Sequence, residues 1–269
     1  MKPRKVYPTD VSDAQWLIIE PLIPHAKSGG RSRSVCMREV INAIFYLLRS
    51  GCAWRMLPHD FPPWQTVYGY FRCFRDEGLW EQINDALREA VREEAGREAQ
   101  PSAAIIDSQS VKCGPVAGER GYDRFKMVNG KKRHILVDVM GLLLAVVVHK
   151  ANEQDRKGAR KLLSRAAKKG FVRLQLIWAD GGYNSEPLST WLFTLTGWVL
   201  HLVTRPKGTR GFVILPRRWV VERTFAWLGG YRRLSKDYEQ LPQSSEAMLY
   251  IAMIHLMLKR LGRNPAIAL

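Results

Sequence analysis

Cysteine is scarce: Cys36, Cys52, Cys73 and Cys113 are the only four in 269 residues. Their spacings fit no zinc or redox motif, so free thiols in a reducing compartment are expected. That excludes a small secreted fold stapled by disulfides. Long apolar runs are lacking too. The run GLLLAVVV, Gly141 to Val148, falls far short of the ~20 residues of a membrane span and reads as a buried strand. The opening residues, MKPRKVYPTD, have no apolar stretch of the signal-peptide kind, so a cytoplasmic, nucleoid-associated protein without membrane contact is expected. Internal repeats and low-complexity tracts are also missing.

Acidic charge is in short supply. Asp and Glu number 25 against 42 Lys and Arg, a formal net charge of +17. Such an excess favours polyanionic partners, nucleic acid above all. It is unevenly placed. Residues 1–100 carry 14 basic and 13 acidic side chains, whereas residues 101–269 carry 28 and 12. A charge serving solubility alone has no reason to gather in one half. Hydrophobic residues make up 46% of the chain, enough for a substantial core.

The first hundred residues read as helices. Thr9 to Pro24 has a cap at Ser12 or Asp13 and an apolar side from Trp16, Leu17, Ile19, Leu22 and Ile23. Val35 to Ser50 follows, with Val40, Ile44, Leu47 and Leu48 at helical spacing and Gly51 as its stop. Trp64 to Phe74 and Leu79 to Ala99 complete the set. Short helices with tight turns suit a helix-turn-helix-like module binding DNA, with Arg31, Arg33 and Arg72 as first phosphate candidates. A plain helical cap on the second half fits equally, and the near-neutral charge favours it. The aromatics Trp64, Tyr68, Tyr70, Phe71 and Phe74 read as helix packing.

Gln100 to Ser102, carrying Pro101, marks a boundary, so a helical domain 1–100 and a second domain 101–269 are expected. Strands are expected over Ala103 to Ile106, Lys131 to Met140, Leu142 to His149, Leu174 to Ala179 and Trp198 to Thr204. Helices are expected over Asp155 to Lys169 (capped by Asp155), Asn184 to Leu195, around Glu222, and over Ser244 to Leu261. This is an α/β domain with a five-stranded sheet.

Three acidic residues stand out. Asp107 ends one apolar strand and Asp180 another, and Glu222 sits among arginines and tryptophans in RRWVVERTFAWLGGYRRL, Arg217 to Leu234. Ligands of sheets with parallel strands bind beyond the carboxyl ends of the strands. Gly181 and Gly182 after Asp180 permit close backbone approach. Arg218, four residues before Glu222, shares its helical face. Without metal, three clustered carboxylates repel and raise one another's pKa. With two Mg²⁺ ions about 3.5–4 Å apart they can activate a nucleophile and stabilise a leaving oxygen on phosphate. Asp138, within a strand, competes for the site but reads as structural, as does His134, whose register the pattern leaves open.

The motifs IDS at Ile106–Ser108, ADGGY at Ala179–Tyr183 and the R-x-x-x-E pair Arg218 and Glu222 resemble those of the DDE transposases of bacterial insertion sequences. TDVSDAQWLIIEPLIP, GCAWRMLP and WQTVYGYFRCF are similar to that family's N-terminal region. The resemblance implies an RNase H-like core, with Asp107, Asp180 and Glu222 as catalytic metal ligands for Mg²⁺ or Mn²⁺. It further implies cleavage at element ends and joining to target DNA. Leu215 and Gly229 depart from the Tyr and Lys that many relatives carry there. The 42-residue separation of Asp180 and Glu222 leaves no room for a large inserted domain.

Candidate DNA contacts are Arg205, Lys207, Arg210, Arg217, Arg218, Arg223, Arg232 and Lys236, together with Lys131, Lys132 and Arg133. Trp219 and Trp227 could stack on a displaced base. Tyr183 and Asn184 are expected to line the site. The function expected is a transposase acting on terminal inverted repeats and target DNA, as a homodimer on that DNA. An RNase H-like nuclease without strand transfer, or a non-catalytic DNA-binding remnant, are the rivals.

Overall fold

The structure, a computed structural model, describes residues 4–26, 33–203 and 217–263. Four helices come first: α1 (Asp13–Ile19), α2 (Met37–Ser50), α3 (Trp64–Asp76) and α4 (Leu79–Glu94). A capping box opens α1: the Ser12 side chain accepts from Gln15 N, and the Gln15 side chain returns to the Ser12 backbone. The left-handed Gly51 (φ 76°) closes α2, where a Cβ would come within 2.9 Å of Arg232 Cβ.

The second half runs β1 (Ala103–Lys112), β2 (Gly121–Asp123), β3 (Val128–Asp138), β4 (Leu143–Lys150), α5 (Asp155–Lys168), β5 (Leu176–Ala179), α6 (Glu186–Thr196), β6 (Val199–Leu202), α7 (Trp219–Gly229) and α8 (Pro242–Leu261). β3 pairs antiparallel with β1, β2 and β4. β5 lies parallel to β1, and β6 parallel to β5. The order β4-β3-β1-β5-β6 is the mixed sheet of an RNase H-like core. The sheet has six strands rather than the expected five, because β2 adds a three-residue edge whose sequence, GYD, has no apolar pattern. β1 also runs well past Asp107. β3 keeps pairing with it as far as Lys112, whereas its parallel partner β5 is matched only as far as Ile105. Polar residues 107–110 are therefore strand by virtue of their neighbour.

Pleating separates the two faces of the sheet. Ala104, Ile106, Leu136, Ile177 and Ala179 join the apolar cluster under α5 and α6. Ile105, Ile135, Val137 and Trp178 join the cluster shared with α7, α8 and the first four helices. By the same alternation Asp107 and Asp180 belong to the second face, that of α7. α8 touches α1, α2, α3 and α4 as well as β4, so the early helices and one sheet face enclose a common core. Within the expected aromatic cluster Tyr68 pairs with Phe71 at 6.2 Å and Tyr70 with Phe74 at 5.9 Å, and Trp54 joins them against Tyr68 and Phe71 at 5.1 Å.

Asp138 is structural. It is fully buried, pairs with Arg92, and accepts from Met140 N and Leu142 N at 2.9 Å, bracing the β3–β4 turn. α7 docks on that turn. Thr224 Oγ1 donates to Gly141 O at 2.8 Å, and Arg223 Nη2 to Met140 O at 3.0 Å. Gly141 (φ 83°) must be glycine, since a Cβ would lie 2.7 Å from Thr224 Oγ1. This contact sets the position of Glu222.

Candidate active site

Asp107, Asp180 and Glu222 come from β1, from the end of β5 and from α7, and they converge. Arg218 Nη2 lies 3.5 Å from Asp107 Oδ2, 3.7 Å from Asp180 Oδ2 and 3.7 Å from Glu222 Oε1. Their exposure rises in order, with side chains 16%, 34% and 54% accessible. The two from the sheet are held by backbone amides one and two residues further along the chain. Ser108 N donates to Asp107 Oδ1 at 2.7 Å, and Gly182 N donates to Asp180 Oδ1 at 2.8 Å. The second contact caps the single 3-10 turn Gly181–Tyr183. Burial pushes the Asp107 carboxyl up to about 6; the Ser108 amide and Arg218 oppose this, and Asp180 adds to it.

The donor set consists of carboxylate oxygens alone, which suits a hard divalent cation. The point on which they converge already holds a cation, the guanidinium of Arg218. Among the described residues no three His, Cys, Asp or Glu side chains close on a single ion position. The residues fit a metal once Arg218 moves aside.

The other expected contacts sit in varied surroundings. Arg217, exposed and left-handed (φ 70°), stacks over Trp178 at 4.4 Å. Arg223 lies 4.6 Å from the Trp219 ring and 4.5 Å from the Trp227 ring, and Arg260 covers Trp227 at 4.6 Å. The ladder leaves Trp219 exposed and Trp227 partly covered. Arg232 and Lys236 are exposed. Arg31, Arg205, Lys207, Arg210 and Leu215 lie outside the described residues. Arg33 donates to the carbonyls of Pro24 and His25, and Arg72 sits over Tyr68.

Three expected DNA contacts are corrected. Lys132 and Arg133 are both buried. Lys132 Nζ donates to Asp155 Oδ1 at 2.9 Å and to Glu153 O at 3.1 Å, and it pairs with Asp123 at 3.3 Å. Arg133 donates to the carbonyls of Leu234 and Lys236. Lys131, adjacent to them, is equally buried on Asp237. A run of three basic residues at the start of a strand read as surface, but β3 is central, so its cations serve inner partners. Asp155 is likewise no cap: Gln154 holds the N-cap, and Asp155 binds Lys132 and Ser108 from the first turn. His134 falls on the α5 face, opposite the carboxylates, with Nδ1 2.9 Å from His149 Nε2. Burial brings its pKa down to about 3. Tyr183 is buried in the core beneath α5 and α6 rather than lining the site.

Comparisons with known proteins bear on the family of the chain. Residues 98–257 match the "Transposase DDE domain" family. The chain belongs to the DDE transposase family. Residues 11–84 match a second family, described as "Putative transposase of IS4/5 family". Two relatives come from Burkholderia cepacia. One, the "Putative transposase for insertion sequence element IS402", is 32% identical over 143 residues, covering 51% of this chain and 65% of the relative. The other, the "Insertion element IS402 uncharacterized 16.2 kDa protein", is 28% identical over 110 residues, covering 38% of this chain and 73% of that one. A solved structure, the Mos1 mariner paired end complex with Mn, aligns over 97% of this chain and 78% of its own at 13% identity and a TM-score of 0.31. At that score the fold rests on strand order instead. In this DDE transposase-family chain, no helix among the described residues is long and apolar enough to cross a membrane.

Proposed function

We propose that this chain is a DNA transposase that cuts at the ends of an insertion element and joins those ends to target DNA. Asp107, Asp180 and Glu222 are its catalytic carboxylates and would hold Mg²⁺ or Mn²⁺, two ions in the active state. One observation carries the reading: three carboxylates from three separate elements lie within 3.7 Å of a single guanidinium nitrogen. When bound, the metal supplies charge for activating a hydroxyl and stabilising a leaving oxygen.

The chain's own residues orient the site. The Ser108 and Gly182 amides fix two carboxylates, and the β3–β4 turn fixes the third through α7. Arg217, Arg218, Arg223, Arg232 and Lys236 hold phosphates, with Arg205, Lys207 and Arg210 in the same role; Trp219 and Trp227 stack on a displaced base. Residues 1–100 serve as the element-end module and residues 101–269 as the catalytic one. Partners are double-stranded terminal repeats, target DNA and a second copy of the chain, in the bacterial cytoplasm at the nucleoid. These assignments draw on the charge asymmetry, the family membership and the converging carboxylates.

The test uses a duplex taken from the DNA that flanks this reading frame, a supercoiled target plasmid and Mg²⁺ or Mn²⁺. Joined product that vanishes in Asp180→Asn supports the proposal. Cleavage without joining in both metals sinks strand transfer in favour of a hydrolytic nuclease. Cleavage that survives in Asp180→Asn removes the residue assignment.

A further inference from the structure

We infer that Arg218 is the acidic site's built-in counter-ion, which a DNA phosphate draws off, so that divalent metal and DNA bind with positive coupling. This rests on the proposed metal-dependent reading. It goes further by giving the chain a way to keep the site closed to metal until DNA arrives.

The argument begins from one nitrogen. Arg218 Nη2 is 3.5–3.7 Å from oxygens of all three carboxylates, where a charge-assisted hydrogen bond would be about 2.7–2.9 Å. One positive charge is thus shared loosely among three acids. Nε of the same side chain is buried without a hydrogen-bond partner among the described residues. Guanidinium is a planar fork whose best partners are bidentate oxyanions such as phosphate. The present arrangement satisfies its charge and leaves its geometry unused. A phosphate oxygen pair offers both.

Local structure allows the exchange. Arg218 is the N-cap of α7, at the helix end where backbone amides also favour an anion. Arg217 just before it is left-handed, at φ 70°, an uncommon state for a residue with a side chain. Arg217 is stacked on Trp178, so the backbone is braced on one side of Arg218 and helical on the other. The side chain can swing while the backbone stays in place. A cation at the convergence point excludes another by Coulomb repulsion and by occupying the oxygens. Moving Arg218 to phosphate relieves both, and linkage makes the benefit reciprocal.

The test is Mn²⁺ binding to the full chain, read by water-proton relaxation. The wild type, Arg218→Gln, Arg218→Lys and Asp180→Asn are compared with and without a duplex of roughly 20 base pairs, long enough to span several phosphates. Arg218→Gln is expected to bind Mn²⁺ about 5- to 150-fold more tightly than wild type without DNA, the usual span of coupling between sites. Duplex should tighten Mn²⁺ binding to wild type by a similar factor and leave the variant unchanged. Mn²⁺ binding in Arg218→Gln that equals wild type, or is weaker, overturns the inference. If Arg218→Gln does not fold, wild type and Arg218→Lys decide. Equal Mn²⁺ affinity with and without duplex in both proteins overturns the inference. Tightening by duplex in wild type, reduced in Arg218→Lys, which keeps the charge without the fork, supports it. Asp180→Asn separates the two levels of the argument. If it binds Mn²⁺ as wild type does, the metal reading itself fails. If it loses Mn²⁺ while Arg218→Gln is unaltered, only the coupling fails.

Discussion

Two neighbouring residues of β1 head two opposite kinds of charge cluster. Asp107 faces α7 and shares Arg218 with Asp180 and Glu222, each carboxylate 3.5–3.7 Å from the guanidinium. Ser108 faces α5 and meets Asp155, Lys132 and Asp123 through contacts of 2.9–3.3 Å. The first has three acids for one cation and is half open to solvent. The second alternates acid and base and is largely closed. The carboxyl of Asp107 is pushed up to about 6, chiefly by burial. Asp123 is held down at about 2, because hydrogen bonds from Ser110 and the Lys126 amide and the charge of Lys132 outweigh its burial. A cluster made for stability satisfies its charges within the chain. The α7-facing cluster leaves charge over, and surplus charge is what an external ligand can use.

The largest effect should separate the clusters by activity. Asp180→Asn or Glu222→Gln is expected to lower end cleavage about a hundredfold or more in a gel assay. Asp123→Asn should leave cleavage within a fewfold of wild type when the assay is run below its melting temperature. Equal losses in both clusters would erase the distinction.

Stability should show the reverse order. Lys132→Met removes the cation from buried Asp123 and partly buried Asp155, and urea unfolding should report a loss of about 3 kcal/mol. Loss below about 0.5 kcal/mol would mean that the α5-facing network holds little.

The pH dependences should oppose one another. Asp107 binds its proton more tightly folded than unfolded, where its pKa is about 3.9. Its contribution is therefore full below about pH 4 and is lost as pH rises through about 6. Asp123 contributes above about pH 4 and loses that contribution as pH falls through about 2. Over pH 4 to 7 the buried His134 and His255, held down to about 3, add stability with rising pH, so melting temperatures in EDTA should rise less steeply in wild type than in Asp107→Asn. An unchanged slope in the variant would place the titration elsewhere.

The smallest effect sharpens the boundary. Asp180, with a third of its side chain exposed, should cost less than about 0.5 kcal/mol of stability when changed to Asn.

The sequence pattern carried the strands, the helices and the three acids because those depend on apolar periodicity and on the ends of apolar runs. Asp107 and Asp180 were legible from the apolar residues before them, and Arg218 with Glu222 from helical spacing. Pairing was not legible. Lys131, Lys132 and Arg133 look exposed in one dimension, and only the central place of β3 buries them. β2 depends on β3 for its existence, and residues 108–112 depend on it for their strand form. The inward aim of Arg218 was hidden as well. Helical spacing places it beside Glu222 but says nothing of where β1 and β5 bring their acids.

The late position of α8 has a consequence for synthesis. Residues 242–261 supply the surface against which α1, α2, α3 and α4 all pack. Those helices leave the ribosome before α8, yet their shared core can close only when α8 has emerged. Domains made early in a chain generally fold as they appear. Here α1 to α4 must wait for the whole sheet to be made. A nascent chain that has not yet reached α8 therefore exposes the apolar faces of α1 to α4 and leaves the surface of residues 1–100 unfinished.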